Sequence, residues 1–218
     1  MKNNQILSSL MQFYIQAEKL KTTMRHSWTS NSVRQESSAE HSWMLTLIAL
    51  TIFDQLTIPV DRMRILKILI VHDLAEAITG DIPAFDTMGR VHKIENEKKS
   101  LWSITENLPA KTRNEIRSLF LEYEDKKTIE AKVSQAIDKF ESPLQHNIAD
   151  ISTWDQNDYD IHGLYKMEYF NFEPFLKELR LELENMTRRK VSEAGQLHRF
   201  RPDIQEYYNK LDKDEKQQ

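Results

Sequence analysis

The side chains best suited to chemistry lie in one short stretch, residues 65–81, where an aliphatic run ends in His72 and Asp73. Glu76 follows one helical turn later, and Asp81 comes after a glycine. Burying such groups beside apolar residues is costly unless a partner or a metal ion compensates them. The stretch therefore indicates a functional site whose groups can bind metal or move protons.

Two residues outside this stretch could complete a metal site. His41 falls in the first turn of a predicted helix, and Asp138 lies among apolar residues of another. With His72 and Asp73 they would provide two imidazoles and two carboxylates from three helices, a mixed ligand set for one divalent transition ion. Such an ion activates water and polarises a phosphoryl oxygen, while Glu76 beside it could protonate the leaving oxygen. In the alternative interpretation the histidines are ordinary hydrogen-bonded residues and Asp138 is a buried ion-pair partner.

Capping signals predict the helices that would carry these residues. Ser37 and Glu40 have the spacing of a capping box, which predicts a helix that runs to about Leu56. Asp61 predicts the start of the next helix and Gly80 its end. In the first of these helices four apolar residues are predicted to face the core: Trp43, Leu47, Leu50 and Phe53.

The remaining helices are predicted from their apolar stripes. Residues 21–35 lack such a period and are predicted to form an ordered loop. Thr128 is predicted to cap the helix of Asp138, which Pro143 should kink or end near Ser142. The other predicted helices cover residues 6–20, 93–107, 110–123 and 175–186.

Composition excludes several classes of protein. The 218 residues include only four glycines and six prolines, which favours helices over a turn-rich β fold. There is no cysteine, so disulfides, thiolate metal sites and cysteine nucleophiles are excluded. A net charge of −4 argues against a nucleic-acid binder. The longest charge-free apolar run, residues 42–53, is shorter than the ~20 residues that span a bilayer, so no membrane partner and a cytoplasmic location are expected.

Four motifs occur in a fixed order along the chain. They are Ser38-Ala39-Glu40-His41-Ser42, Val71-His72-Asp73-Leu74-Ala75-Glu76, Thr79-Gly80-Asp81-Ile82-Pro83 and Asp138-Lys139-Phe140-Glu141. In this combination the sequence resembles the HD-domain superfamily of metal-dependent phosphohydrolases, and its 5′-deoxynucleotidase branch in particular. The resemblance implies an all-α fold, an HD-domain helical bundle in a single domain. That domain is expected to cover residues 1–190, with the core match at 7–148, and residues 191–218 to form a C-terminal helix and a charged tail.

The resemblance also implies a role for each residue of the predicted site. Members of this branch release phosphate from deoxynucleoside 5′-monophosphates and are generally homodimers, so a nucleotide substrate and a homodimer are expected. Glu76 and Asp81 would be catalytic, with Glu76 as the acid or base, and Arg25 and Trp28 would contact phosphate and sugar. One divalent metal ion, whose identity the sequence does not define, would bind to His41, His72, Asp73 and Asp138. The substrate would also meet Asp81, Ile82 and Pro83.

The sequence departs from the family pattern at three places, of which one is the region beyond Ile148, where the match fades. His26 and Ser27 separate Arg25 from Trp28, where many relatives have Arg-Trp or Arg-x-Gly-Trp. Pro143 falls where relatives continue a helix. The departure at His26 and Ser27 affects the placement of the tryptophan, and therefore the expected selection of the sugar.

Two rival functions remain open at the level of sequence. One is hydrolysis of phosphodiesters or nucleoside triphosphates by the same type of site, with His92 as an extra ligand. The other is a non-catalytic nucleotide-sensing helical module that keeps its metal site as structure. Glu76 and Asp81 argue against the second, because a purely structural metal would not require them.

Overall fold

A computed structural model describes residues 3–215 of the chain, and helices form most of it. Within that range there are ten α-helices and one two-stranded antiparallel sheet. The N-terminal elements are α1 (Asn3–Ala17), β1 (Met24–Trp28), β2 (Gln35–Ser37) and α2 (Ser38–Ile52). The central elements are α3 (Arg62–Val71), α4 (Glu76–Thr79), α5 (Lys93–Thr105), α6 (Ala110–Asp125) and α7 (Ile129–Ile148). The C-terminal elements are α8 (Gln156–Ile161), α9 (Pro174–Glu193) and α10 (Pro202–Glu215). The predicted all-α fold is confirmed.

Helix α2 begins as its capping signal predicts, but it buries a different face. Ser37 and Glu40 form the reciprocal capping box, and the helix ends at Ile52, four residues before the predicted end. Of the four residues predicted to face the core only Phe53 is buried, whereas Trp43, Leu47 and Leu50 are 61%, 40% and 59% exposed. Nearly every face of α2 is apolar, so hydrophobicity alone does not select one. The buried face of α2 is instead the face that carries His41. The other buried residues of that face lie one, two and three turns after His41: Leu45, Ile48, Ala49 and Ile52.

The segment predicted as one helix up to Gly80 is divided at the functional residues. Asp61 caps α3 as predicted, but that helix ends at Val71, and residues 72–75 form tighter turns before α4 begins. The amide of Glu76 bonds the carbonyl of Asp73 across three residues instead of four. Gly80 ends α4 with a φ of 74°, a conformation that favours glycine. The single continuous helix was therefore a wrong prediction, although both of its ends were correct.

The loop predicted at residues 21–35 contains a β-hairpin. Met24 pairs with Ser37, and Trp28 pairs with Gln35, with an irregular register between them. The side-chain amide of Gln145 in α7 donates a hydrogen bond to the carbonyl oxygen of Trp28 at 2.6 Å, and this contact connects β1 to the helix. The prediction of a loop was wrong, because two short strands with one bulged register leave too weak an alternation to recognise.

Helix α7 runs through Pro143 to Ile148, so the predicted end near Ser142 was wrong, and the alternative of a kink there stays a prediction. Proline inside a helix removes one hydrogen bond and costs about 3 kcal/mol. Here α7 packs against α2, α3, α6, α9 and β1, and most of its residues are buried. That packing offsets the cost. Thr128 caps the helix as predicted, since its Oγ1 accepts the amide of Ala131 at 3.1 Å.

Three apolar clusters hold the helices together. The first joins α2, α3, α7 and α9 around buried Leu45 and Ile137. The second joins α3, α5 and α6 around Leu101 and Phe120. The third packs Tyr208 of α10 against the end of α9 and the region of α8. The expected boundary at residue 190 stays a prediction, and the last residues of the expected charged tail, 216–218, lie outside the described residues. No described helix is long and apolar enough to cross a bilayer.

Candidate active site

Three separate parts of the fold bring the predicted metal ligands together. The first turn of α2 presents His41, the turn after α3 presents His72 and Asp73, and α7 presents Asp138. His41 Nε2 lies 3.2 Å from Asp138 Oδ1 and 3.8 Å from Asp73 Oδ2. His72 Nε2 lies 3.1 Å from the same oxygen of Asp73. One nitrogen or oxygen from each of His41, His72 and Asp73 lies within 4.8 Å of the others, close enough to share one ion.

Hydrogen bonds on the far side of each imidazole direct a nitrogen at this cluster. His72 Nδ1 lies 2.8 Å from the carbonyl oxygen of Leu69, so Nδ1 carries the hydrogen and donates it. The remaining nitrogen, Nε2, is buried, and although Asp73 Oδ2 lies 3.1 Å away, this nitrogen makes no hydrogen bond within the residues that the structure describes. His41 Nδ1 lies 2.5 Å from Glu141 Oε2, which leaves its Nε2 facing the two aspartates. A buried nitrogen without a partner beside two carboxylates fits a divalent cation.

The charges in the cluster also favour a cation. Burial and the Arg25 guanidinium oppose the charged form of His41. The carboxylates of Glu141 and Asp138 outweigh both and raise the pKa of His41 to about 10. Burial likewise opposes ionisation of Asp138, but Lys139 Nζ, 2.6 Å from Oδ2, and His41 hold the pKa of Asp138 well below its usual range. The negative charge that attracts a proton to His41 would attract a divalent ion equally.

Glu76 lies beside the cluster as the first residue of α4 and is buried. Ser38 Oγ donates a hydrogen bond to Glu76 Oε2 at 2.8 Å, and Lys93 Nζ lies 3.5 Å from Oε1. Burial and the nearby Asp73 carboxylate raise the pKa of Glu76 to about 8, although Arg25 and, to a smaller extent, Lys93 oppose this. This raised pKa favours the protonated carboxyl, which is the form that can act as a general acid.

Arg25 on β1 extends over the same cluster. Its Nη1 lies 3.2 Å from Asp73 Oδ2 and 3.9 Å from Asp81 Oδ1, and its Nη2 donates to Ser142 Oγ at 3.2 Å. Its Nε is buried and has no hydrogen-bond partner among the described residues, although Glu36 Oε2 lies 3.8 Å away. We refer to His41, His72, Asp73 and Asp138 as the metal-type cluster. A planar guanidinium with spare donors next to this cluster is suited to bind phosphate oxygens.

One cavity connects these groups to the surface. Its walls include most of the residues predicted to bind metal or substrate or to act in catalysis: Arg25, Asp73, Glu76, Asp81, Ile82, Pro83 and Asp138. His41 and His72 lie buried behind that wall. The structure thus brings together the residues predicted for these roles, with two exceptions.

The exceptions are Trp28 and His92. Trp28 lies outside the cavity wall and lines a small gap behind it, next to His146 and Asp158. His92 lies on the surface 4.0 Å from Glu95, and it is absent from the groups of potential metal ligands among the described residues. An extra ligand from His92 therefore receives no support from the structure.

Several side chains at the site were not assigned a role from the sequence. Glu141 had a usable signal, because it lies three residues after Asp138 and therefore on the same helical face. Glu36 had none, since the hairpin brings it to Glu141 and His41. Burial and the Glu141 carboxylate raise the pKa of Glu36 to about 7. The other unassigned residues are Ser38, Lys93, Tyr123, Lys139 and Ser142.

This fold and this cluster define the class to which the chain belongs. A family model described as HD domain matches residues 17–180, and the chain therefore belongs to the HD domain family. Its relatives include proteins named 5′-deoxynucleotidase HDDC2 from Dictyostelium discoideum, 29% identical over 82% of this chain and 98% of the relative, and from Danio rerio, 35% identical over 64% and 68%. The 5′-deoxynucleotidase hdd1 of Schizosaccharomyces pombe is 36% identical over 63% of this chain and 70% of its own.

A solved structure supports the same fold. The crystal structure of a predicted metal-dependent phosphohydrolase from Magnetospirillum magnetotacticum superposes with a TM-score of 0.78 at 24% identity. The match covers 93% of this chain and 99% of that one. The structural match therefore extends beyond residue 148, where the core match expected from the sequence ends.

Proposed function

We propose that this protein is a metal-dependent phosphomonoesterase that releases phosphate from deoxynucleoside 5′-monophosphates. The observation that carries the proposal is the convergence of the ligand cluster, the Glu76 carboxyl and the Arg25 guanidinium at one end of a cavity. The names of the relatives supply the substrate class, since several of them are 5′-deoxynucleotidases.

The ligand assignment follows from the geometry of the cluster. We assign one divalent cation to His41, His72, Asp73 and Asp138, whose donor atoms face one another from three parts of the fold. Such a cation polarises phosphoryl oxygens and lowers the pKa of water. Mixed imidazole and carboxylate sites accept several metals, so the proposal does not specify which one.

Two residues of the chain carry the remaining chemistry. Arg25 would exchange its contacts with Asp73 and Asp81 for two phosphate oxygens, holding phosphorus beside the cation. As water attacks phosphorus and the P–O5′ bond breaks, Glu76 would transfer its proton to O5′, so that the deoxynucleoside leaves as an alcohol and phosphate is released. Ser38 fixes the Glu76 carboxyl by donating to Oε2, while the other oxygen, Oε1, lies 3.5 Å from Lys93 Nζ.

The substrate-binding roles of the neighbouring residues remain part of the proposal. We assign Asp81, Ile82 and Pro83 to substrate contact, because they form a wall of the cavity next to Arg25. Trp28 lies behind that wall. We therefore propose that Trp28 affects sugar selection by holding β1, and with it Arg25, rather than by touching the sugar.

The exposed face of α2 supports a homodimer. Trp43, Leu47 and Leu50 form an apolar stripe on the side of α2 that faces away from the core. Contiguous apolar surface of this kind is typical of protein interfaces.

A cytoplasmic location remains a proposal as well, supported by a sequence without cysteine, which suits a reducing compartment.

The test is a phosphate-release assay on a substrate panel after removal and return of metal. We expect hydrolysis of deoxynucleoside monophosphates only with added Mn²⁺, Co²⁺ or Mg²⁺, and slower hydrolysis of ribonucleotides. Faster turnover of a phosphodiester or a nucleoside triphosphate would replace the proposal by the rival hydrolase. Tight nucleotide binding without turnover of any substrate would replace it by the sensor.

A further inference from the structure

A second group of aromatic and titratable side chains lies in the same cavity, away from the metal-type cluster. It consists of Phe85, Tyr165 and three histidines, His26, His146 and His162. None of these residues belongs to the motifs that the proposed chemistry uses. We refer to this group as the aromatic end of the cavity.

Helix α7 sets the distance between the two ends. Asp138, Ser142 and His146 lie at intervals of four residues and therefore on one face of the helix, and all three line the cavity. Eight residues of α-helix separate Asp138 from His146 by roughly 12 Å. Ser142, which bonds Arg25, lies between them. That separation is comparable with the length of an extended nucleoside monophosphate.

The histidines of the aromatic end are fixed by their own contacts. Asp158 Oδ1 lies 3.1 Å from His26 Nε2 and 2.9 Å from His146 Nδ1. His162 stacks on Trp154 with ring centroids 4.4 Å apart and an interplanar angle of 26°. The wall is therefore built in place, so a ligand need not order it on binding.

The rings of Phe85, Tyr165 and His26 are the parts of this wall that a ligand can meet. Phe85 and Tyr165 are half-buried rings of the wall, and Phe85 meets His26 edge to face at 4.9 Å. The hydrogen bond to Asp158 raises the pKa of His26, which favours the form with hydrogen on both nitrogens. Nε2 serves Asp158, whereas Nδ1 makes no hydrogen bond to any residue in the described part of the chain.

We infer that the aromatic end holds the base of the nucleotide, with Phe85 and Tyr165 against the ring and His26 at its edge. Every base has a flat π face that stacks on aromatic side chains. The inference rests on the proposed function, because the separation along α7 matches a nucleoside only when phosphate lies at Arg25. The base would then provide binding energy that a sugar phosphate cannot obtain.

The experiment compares two substrates that differ only in the base. We would measure kcat/KM for a deoxynucleoside 5′-monophosphate and for 2-deoxyribose 5-phosphate, in the wild-type enzyme and in Phe85→Ala and Tyr165→Ala. The wild type should prefer the nucleotide, and each variant should reduce that preference about 10-fold, chiefly through KM for the nucleotide. Met88→Ala is the matched control, since Met88 lies in the same loop as Phe85, is 80% exposed and does not line the cavity.

Three results would overturn the inference. A wild-type enzyme that hydrolyses deoxyribose phosphate as fast as the nucleotide has no contact with the base. Unchanged preference in folded Phe85→Ala and Tyr165→Ala, with folding checked by circular dichroism, would place the base elsewhere. Phe85→Leu keeps most of the side-chain volume and removes the flat ring, so it tests stacking if Phe85→Ala unfolds. An unchanged preference for the nucleotide over deoxyribose phosphate in Phe85→Leu would equally contradict the inference. Absence of turnover with both substrates would instead refute the proposed function itself.

Discussion

Glu141 provides the sharpest test of the candidate metal site, because it touches a predicted ligand without being one. Its Oε2 accepts the Nδ1 hydrogen of His41 at 2.5 Å, and both side chains are buried. Glu141→Gln keeps the shape of the side chain and removes its charge. The imidazole of His41 then becomes less basic and is oriented less firmly, so the protein should bind a divalent cation more weakly.

The size of the effect follows from the surroundings of this pair. Carboxylates that orient a ligating histidine typically contribute 10- to 100-fold to metal affinity, or about 1.4–2.7 kcal/mol. Burial places this pair toward the upper limit. Glu36 acts in the opposite direction, because Glu141 helps to raise its pKa to about 7. Without Glu141 the Glu36 carboxyl ionises more readily near His41 and replaces part of the lost charge, so we expect a loss of about 10- to 30-fold.

The assay is a titration of metal-free protein with Co²⁺ or Mn²⁺, followed by calorimetry, for the wild type and Glu141→Gln. Glu178→Gln is the matched control, since Glu178 is exposed on α9. The double variant Glu36→Gln with Glu141→Gln should bind more weakly than either single variant, because the compensation is then removed. Wild-type affinity in Glu141→Gln would show that the cation does not bind at His41 in the way that the geometry implies.

Three further predictions test the chemistry, the fold and the aromatic end. Glu76→Gln should lower the rate of phosphate release by about 100-fold or more with metal content unchanged, because general acids contribute 10²–10⁴-fold to catalysis. Elemental analysis measures the metal content and an activity assay measures the rate. An undiminished rate would show that Glu76 does not act in the reaction. Thr128→Ala should lower the free energy of unfolding by about 1 kcal/mol without changing turnover, because the amide of Ala131 loses its cap; urea titration measures it. Asp158→Asn should lower the pKa of His26, since their hydrogen bond is the largest cause of its raised value; an NMR titration of the ring protons that still finds a raised pKa would contradict the geometry.

The residues of the metal-type cluster could be predicted because each is marked within its own helix. His41 follows a capping box, His72 and Asp73 end an aliphatic run, and Asp138 interrupts an apolar face. Such local signals survive without knowledge of the fold. The sequence around Glu36 and Lys93 does not indicate a functional role. Glu36 reaches the site through the β-hairpin, and Lys93 reaches it as the first residue of α5, after a long loop. Their roles depend on contacts between residues that are distant in sequence.

The buried face of α2 shows how a functional residue can resolve an ambiguous helix. Its apolar residues surround the axis, and the stripe predicted to face the core included Trp43 and Leu50, which are exposed. Counting from His41, which must face the site, gives the buried positions Leu45 and Ile48 instead. A predicted ligand therefore constrains the orientation of its helix more strongly than hydrophobicity does in a segment that is apolar on every side.

Pro143 matters for function as well as for folding. A helix that ended near Ser142 would leave His146 free to lie elsewhere, and the two ends of the cavity would then have no fixed separation. Because α7 continues to Ile148, Asp138 and His146 remain on one face, two turns apart. The energy that offsets the proline comes from the packing of α7 against five other elements. The separation between the two ends of the cavity is thus set by tertiary contacts that preserve a helix through an internal proline.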